Sequence, residues 1–423
     1  MRDLRQWDWE TGRRQISDVA GWRDQFEWVE EPCVSPDGER IAAVVKTGEM
    51  EFGVCVNGTA WEETFDKVWH LRFTPQGRLM GLVSSMAEWT VAVDGAAWEN
   101  TFEFVWNPRF GGEAEAVAVA AQKGRQYVAV IDGRPWAEGF GTLTEMIQSP
   151  SGHRTAAVVQ TVPMNEGDIW TFQKGCFTVA VDGVPWDRTV INAWEPAFSP
   201  DNRRVAAVVR TTLYDYTIAV DGDLWEQRYP SAWGPIFTPD GEGVVAPVKA
   251  GKGWTLAKDG LPIWDRRFVQ LWHPLYAPAG RTLAAIAAPS FGRWTMALDG
   301  TPWGHTFGDL VSDPVFSPDG KRLACLGKEN GRWTVAVDGT PWGDAYDMAW
   351  QPVFSPDGQR VAAKVEKDGR YTVAVDGRPI GETFKALWDP VFSPEGDRLL
   401  VRGIADGEDE GQYVRVVLPA TDI

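Results

Sequence analysis

The 423-residue sequence is poor in the residues from which most metal and redox sites are built: it holds four cysteines and four histidines. Cys33, Cys55, Cys176 and Cys325 show no paired spacing. Cys55 and Cys325 stand where similar stretches of the chain carry Ala, so small core filler is their expected role. His70, His153, His273 and His305 are scattered, without HxxxH or HExxH spacing, and no metal site is expected from them. There is no CxxCH, no cysteine cluster, no GxSxG elbow and no phosphate loop. The chain is therefore expected to hold no haem, no iron–sulfur cluster and no other cofactor, and to have no catalytic residue. No run of about 18 apolar residues is present to span a bilayer. The first residues, MRDLRQWDWETGRR, lack the apolar segment of a secretory signal, and with unpaired cysteines this points to the cytoplasm. Basic charge is short as well. Against 59 Asp and Glu stand 41 Lys and Arg, a net charge of −18, which disfavours nucleic acid and anionic lipid as main partners.

Tryptophan is abundant, with 24 residues, and so is internal repetition. The stretch Trp350–Leu387 recurs about ten times at a period of about 39 residues, a spacing that signals a repeat architecture. Within it PVFS is a short strand, SPDG a turn and RVAAKVE a second strand. Lys367-Asp368-Gly369 makes another turn, and YTVAV alternates as a third strand. Asp376-Gly377 is a type I′ hairpin signal. RPIGETF reads as a weaker outer strand, where Pro379 removes a donor that an edge does not need. Four antiparallel strands repeated in this way predict an all-β propeller: one domain over residues 1–423, a single ring of about ten blades.

The first-turn slot begins at Ser35, Thr74, Ser149, Ser199, Thr238, Ala277, Ser317, Ser355 and Ser393, and a degenerate version, RFGGEAEAVAVA, begins at Arg109. The third-turn slot is Asn57-Gly58, then Asp-Gly at 94, 132, 182, 221, 259, 299, 338 and 376. Ten first turns against nine third turns leave the last repeat, from Trp388, without its outer strand. The segment ISDVAGWRDQFEW near the N-terminus can supply it and close one blade from both ends. WDWETG competes with QYVRVVLP for the third strand of that blade, and the sequence leaves the two open.

Two tryptophan series run through the repeats. Trp61, Trp98, Trp136, Trp186, Trp225, Trp264, Trp303 and Trp342 follow the third turn, with Ile380 in the ninth place. Packing between blades is their expected role; full burial of one indole removes about 150–250 Å² from water, worth about 4–6 kcal/mol. Trp69, Trp106, Trp194, Trp233, Trp272, Trp350 and Trp388 precede the first strand's Pro slot, in the crossover between blades, where exposed rings would make a docking surface. The turn aspartates could suggest calcium or a glycosidase, but they recur in every blade, whereas an active site is singular; a local turn role is expected.

SPDGKRLA followed by an Asp-Gly turn resembles the TolB-like propeller repeat, a relative of the WD repeat, over almost the whole chain. VAVDGxPW and WxPVFSPDG, as in Val335–Trp342 and Trp350–Gly358, together with the tryptophan load, resemble the tryptophan-rich cytoplasmic subunit of the transmembrane electron-transfer complex of sulfate-reducing bacteria. That resemblance implies a non-catalytic scaffold peripheral to the inner membrane. Its implied partners are an iron–sulfur subunit of heterodisulfide-reductase type, a membrane cytochrome b and a periplasmic multihaem cytochrome c. A generic cytoplasmic adaptor is the alternative, and a propeller hydrolase a third.

In a propeller the first and third turns share one face, while the second-to-third loops and the crossovers share the other. One of those loops carries an insertion, TVPMNEGDIWTFQKGC, between Gln160 and Phe177. Its Met164, Trp170 and Phe172, with nearby Trp194 and Trp233, are the expected partner-docking residues, because a partner needs an asymmetric landmark among uniform turns.

Overall fold

The computed structural model describes residues 4–112, 115–165, 167–278, 280, 282–419 and 421. Parts of three sequence readings lie outside these residues: Glu113 and Ala114 of the degenerate first turn, Glu166 of the insertion, and Ala279 of the turn at Ala277. Eight successive four-stranded antiparallel sheets occupy 33–60, 67–97, 104–135, 143–185, 192–224, 236–262, 270–302 and 310–341. A nine-stranded sheet follows, and it divides at a single bridge between Tyr371 and Phe384. On one side, 348–379 forms a ninth four-layered unit whose first strand is in two pieces, Met348–Ala349 and Val353–Phe354. On the other, Phe384–Phe392, Arg398–Ala405 and Gln412–Pro419 pair in order, and Gly12–Asp18 adds on outside Gln412–Pro419. These units are blades 1 to 10 of a β-propeller.

The N-terminal segment thus supplies the outer strand of blade 10, and QYVRVVLP, not WDWETG, is its third strand. The strand is displaced from its expected position: it begins at Gly12 and ends at Asp18, a few residues before the AGW motif. In the other nine blades the outer strand is only two residues long, as at Arg378–Pro379, in keeping with its weak sequence signal.

The central Ala- and Val-rich residues of each blade's second and third strands are buried and pack on the next blade. Val44 and Val54 meet Val68 and Leu79 between blades 1 and 2, and the same pattern recurs along the chain. Cys55 and Cys325 sit in these seams, free and fully buried, as their Ala-like positions suggested. The seam continues from blade 10 to blade 1, where Tyr413 and Ile404 pack with Val34, Ile41, Val45 and Trp22.

That last junction joins the two ends of the chain and is built differently. Arg402, where most other second strands carry an apolar residue and blade 9 carries Lys364, is buried; its guanidinium donates to the carbonyls of Ser35 at 3.0 Å and Pro36 at 2.9 Å. Arg415, 1% exposed in its side chain, donates to Asp37 O at 2.9 Å and pairs with Glu39 at 3.0 Å. The Tyr413 hydroxyl donates to Gly38 O at 3.0 Å. Charged donors on carbonyl acceptors are stronger than neutral pairs, and here they tie the last strands of the chain to the first turn of blade 1.

Trp22 completes the scheme. It occupies, after AGW, the place that the first tryptophan series holds in blades 1 to 8, and it is 2% exposed. Trp22→Ala is expected to destabilise the protein by about 3–5 kcal/mol, the range for removing a large buried aromatic; Trp170→Ala, on an exposed indole, should leave the unfolding midpoint unchanged. Denaturant unfolding of both variants checks this.

Candidate functional site

The turn face is consumed by structure. At all nine third turns the Asp or Asn takes φ between 45° and 52°, with a left-handed Gly after it, the geometry of a type I′ hairpin. Its side-chain Oδ1 accepts the N–H of the first residue of the second strand. This bond joins Asp94 to Leu79 at 2.8 Å, Asp182 to Thr155 at 3.0 Å and Asp376 to Val361 at 2.9 Å, and it recurs at 57, 132, 221, 259, 299 and 338. The turn role expected of these aspartates is what the hydrogen bonds describe.

The first tryptophan series lies against the same turns, one blade on. A Cβ built on Gly339 would stand 3.1 Å from Trp303, one on Gly377 3.2 Å from Trp342, and one on Gly183 3.2 Å from Trp136. Trp22 does the same for Gly58, at 3.6 Å from its Nε1. The third-turn glycine is thus required twice, by its positive φ and by the indole resting on it. Only Trp225 and Trp264 are buried to the same degree as Trp22; the other six indoles are half-buried, so each contributes less than the full area expected of a core wedge. The packing role stands, since all eight join the seams between blades.

An arginine just after the first turn was missed in the sequence, although it recurs as Arg40, Arg78, Arg154, Arg204, Arg322, Arg360 and Arg398. Arg322 shows its role: it pairs with Asp338 of its own blade at 2.9 Å, donates to Gly358 O and Gln359 O of the next, and lies 5.7 Å from the Phe354 ring. Arg154 and Arg204 repeat this pattern on Phe198 and Phe237. The first-turn serine is buried, and its hydroxyl donates to the turn Asp, as from Ser317 to Asp319 at 2.6 Å. This bond, then the N–H of Lys321, holds the Asp319 carboxyl down at about 2; Asp201, Asp240 and Asp357 are lowered for the same first reason. A carboxyl depressed in the folded state adds stability above its unfolded value, near 4, and loses it as pH falls towards about 2. Ser317→Ala is expected to return Asp319 towards its ordinary value, which a carboxyl-detected NMR titration reads directly.

The other face differs from blade to blade. Large apolar side chains stand exposed at second-to-third loops: Met50 in blade 1, Met86 in blade 2, Ile169 and Trp170 in blade 4, Leu213 and Tyr214 in blade 5, Phe291 in blade 7. Of these only Trp170 was singled out from sequence. The signal for the others was a Met, Tyr or Phe at a turn that a polar residue or glycine would normally occupy.

The insertion folds as a short helix, Ile169–Lys174, whose N-cap Asp168 accepts the N–H of Thr171 at 3.0 Å. Trp170 points outward and is 77% exposed, while Met164 and the half-buried Phe172 line a cleft of about 400 Å³ beside it. Met164 Sδ rests 3.8 Å from the buried Cys176 Sγ. Trp194 is on the first strand of blade 5 and Trp233 just precedes that of blade 6, each against the third strand of its own blade: Trp194 stacks on Tyr216 and Trp233 on Trp254. Among the described residues no hydrogen bond, ion pair or ring contact joins the insertion to Trp194 or Trp233.

First strands of neighbouring blades touch one another and form the inner edge of the propeller. Just after the second-series tryptophan, or after Thr144 and Ser312 at the equivalent places in blades 4 and 8, several of them bulge, with His70, Asn107, Glu145, Glu195, His273 and Asp313 at φ near 50°. Between blades 5 and 7 this inner edge opens into a cleft of about 590 Å³ lined by Glu195, Trp233, Gly234, Trp272 and His273. Among the described residues no group of three or more His, Cys, Asp or Glu is arranged to hold a metal ion.

This architecture defines the chain as a β-propeller protein. No family model matches the sequence, and no curated protein matches it. Two solved structures illustrate its likenesses. A structure described as the eukaryotic initiation factor is 12% identical, covers 78% of this chain and 90% of its own, and has a TM-score of 0.48. TolB from Acinetobacter baumannii is 15% identical, covers 74% and 78%, and has a TM-score of 0.30.

Proposed function

We propose that the chain is a non-catalytic scaffold that docks protein partners through its crossover face. The observation that carries this reading is the asymmetry between the faces. One is tiled with hydrogen-bonded Asp-Gly and Ser-Pro-Asp-Gly turns; the other carries Met50, Met86, Trp170, Tyr214 and Phe291 exposed in five different blades. Exposed apolar side chains grouped on one face are the usual mark of an interaction surface, and Trp, Tyr, Phe and Met are the side chains enriched there. The sequence resemblance supplies the particular assembly: the cytoplasmic side of a membrane electron-transfer complex, with an iron–sulfur subunit of heterodisulfide-reductase type, a membrane cytochrome b and a periplasmic multihaem cytochrome c as partners.

Trp170→Ala combined with Tyr214→Ala removes two exposed anchors in adjacent blades. With the melting temperature unchanged, co-purification from solubilised native membranes is expected to fall by at least about tenfold, since an interface anchor is worth about 2 kcal/mol or more. A complex that survives intact places the docking surface elsewhere.

A further inference from the structure

We infer that the inner cleft between blades 5 and 7 is a receptor for a cationic side chain, a lysine or arginine presented by a partner chain. In most blades the second-series tryptophan meets an aromatic residue near the start of the third strand, stacked in blades 5 and 6 and tilted or edge-on in the others, and in several blades the protein lays its own cation on one of these rings or, in blade 8, on the third-strand aromatic alone. Lys67 lies 5.8 Å from the Trp69 ring, Arg210 5.7 Å from Tyr216 and Lys328 4.9 Å from Trp333. Blade 9 is the clearest case. Lys364 Nζ stands 4.1 Å from the Trp350 ring and 5.0 Å from Tyr371, and the Lys364 carbonyl accepts the Trp350 N–H at 3.0 Å.

The residue that occupies the position of Lys364 in blade 6 is Pro247, whose carbonyl accepts the Trp233 N–H at 2.9 Å. The pair there, Trp233 on Trp254, is the flattest of those involving a second-series tryptophan, at 5.5 Å and 12°. Among the described residues no Lys or Arg covers either ring, and Trp233 is left 45% exposed. The neighbouring pair in blade 7, Trp272 on Trp294 at 4.5 Å, is likewise without an internal cation. The cleft lies between these two tryptophans.

Its other walls suit the missing cation. Glu195 reaches over Gly234, whose Cβ, if it had one, would stand 2.8 Å from Glu195 Oε2. The glycine therefore makes room for the Glu195 carboxylate to lie against the backbone at the wall of the cleft. The Glu195 carboxylate has no hydrogen-bond or ion-pair partner among the described residues, and no Lys or Arg lines the cleft. An aromatic face with an unpaired carboxylate beside it attracts an ammonium or guanidinium group through the ring quadrupole and through charge, and a net charge of −18 favours a basic partner. The inference deepens the docking reading and rests on it, because the cation is taken to come from a docked chain.

The test uses the purified full-length chain and three capped tripeptides, acetyl-Ala-Lys-Ala-amide, acetyl-Ala-Arg-Ala-amide and the neutral acetyl-Ala-Gln-Ala-amide, titrated by tryptophan indole NMR. The cationic peptides are expected to bind at least about fivefold more tightly than the neutral one, and more weakly as salt rises. Glu195→Gln should weaken them about threefold or more without altering stability. Pro247→Lys, which builds the blade 9 arrangement into blade 6, should abolish binding by filling the cleft with the protein's own cation. Equal binding of the neutral peptide, unchanged affinity in both variants, or no saturable binding of either cationic peptide overturns the inference. Because the titration needs no partner, such a result with co-purification intact would count against the cleft and leave the docking reading standing.

Discussion

Everything in this protein hangs on the clasp at the third turn. The aspartate closes its own blade by accepting the first N–H of the second strand, and the following glycine receives the indole of the preceding blade. One dipeptide therefore sets both the hairpin within a blade and the spacing between blades. Aspartate tolerates the left-handed backbone because its carboxylate bonds locally, and glycine tolerates it because it lacks a Cβ. Repeated nine times and completed by Trp22 on Gly58, the clasp makes blades interchangeable along the turn face.

Uniformity on one face confines individuality to the other. Second-to-third loops lack the Asp-Gly clasp; in several of them a carboxylate accepts one loop N–H, as Asp66 does from Met86, and the protein places Met50, Met86, Trp170, Tyr214 and Phe291 there without disturbing a seam. The same holds at the inner edge, where one position on the second strand is Leu82, Ala120, Val208, Pro247, Ile286, Lys364 or Arg402 in different blades. At that position a lysine covers the aromatic pair, a proline leaves it bare, and an arginine bonds the last blade to the first. A single variable site per blade thus distributes stability and recognition around the propeller.

Much of this was legible in the sequence. The period, the turn slots, the incomplete last repeat and the Ala-like positions of Cys55 and Cys325 follow from local chemistry: turn type depends on a few adjacent residues, and strand alternation on the next few. The N-terminal strand was anticipated from the missing outer strand, though its bounds moved to Gly12–Asp18, because Arg13 and Arg14 give it no apolar alternation to read. Trp22 escaped notice because it lies nearly 400 residues from the rest of the blade it completes and because Asp18-Val19 stands where the series has Asp-Gly.

The residues expected from sequence to dock a partner divide along the same line. Trp170 was recognisable because an insertion interrupts a regular period. That Trp194 and Trp233 stack inward on their own blades, apart from the insertion, was decided only when the first strands were brought together at the inner edge. The sequence by itself determined that four strands and their turns recur, since each unit is specified within about 40 residues. Only the tertiary structure decided which tryptophan meets which glycine, which aromatic pair is capped by a lysine and which is left open, because those contacts join residues of different strands and blades whose separation no local pattern encodes.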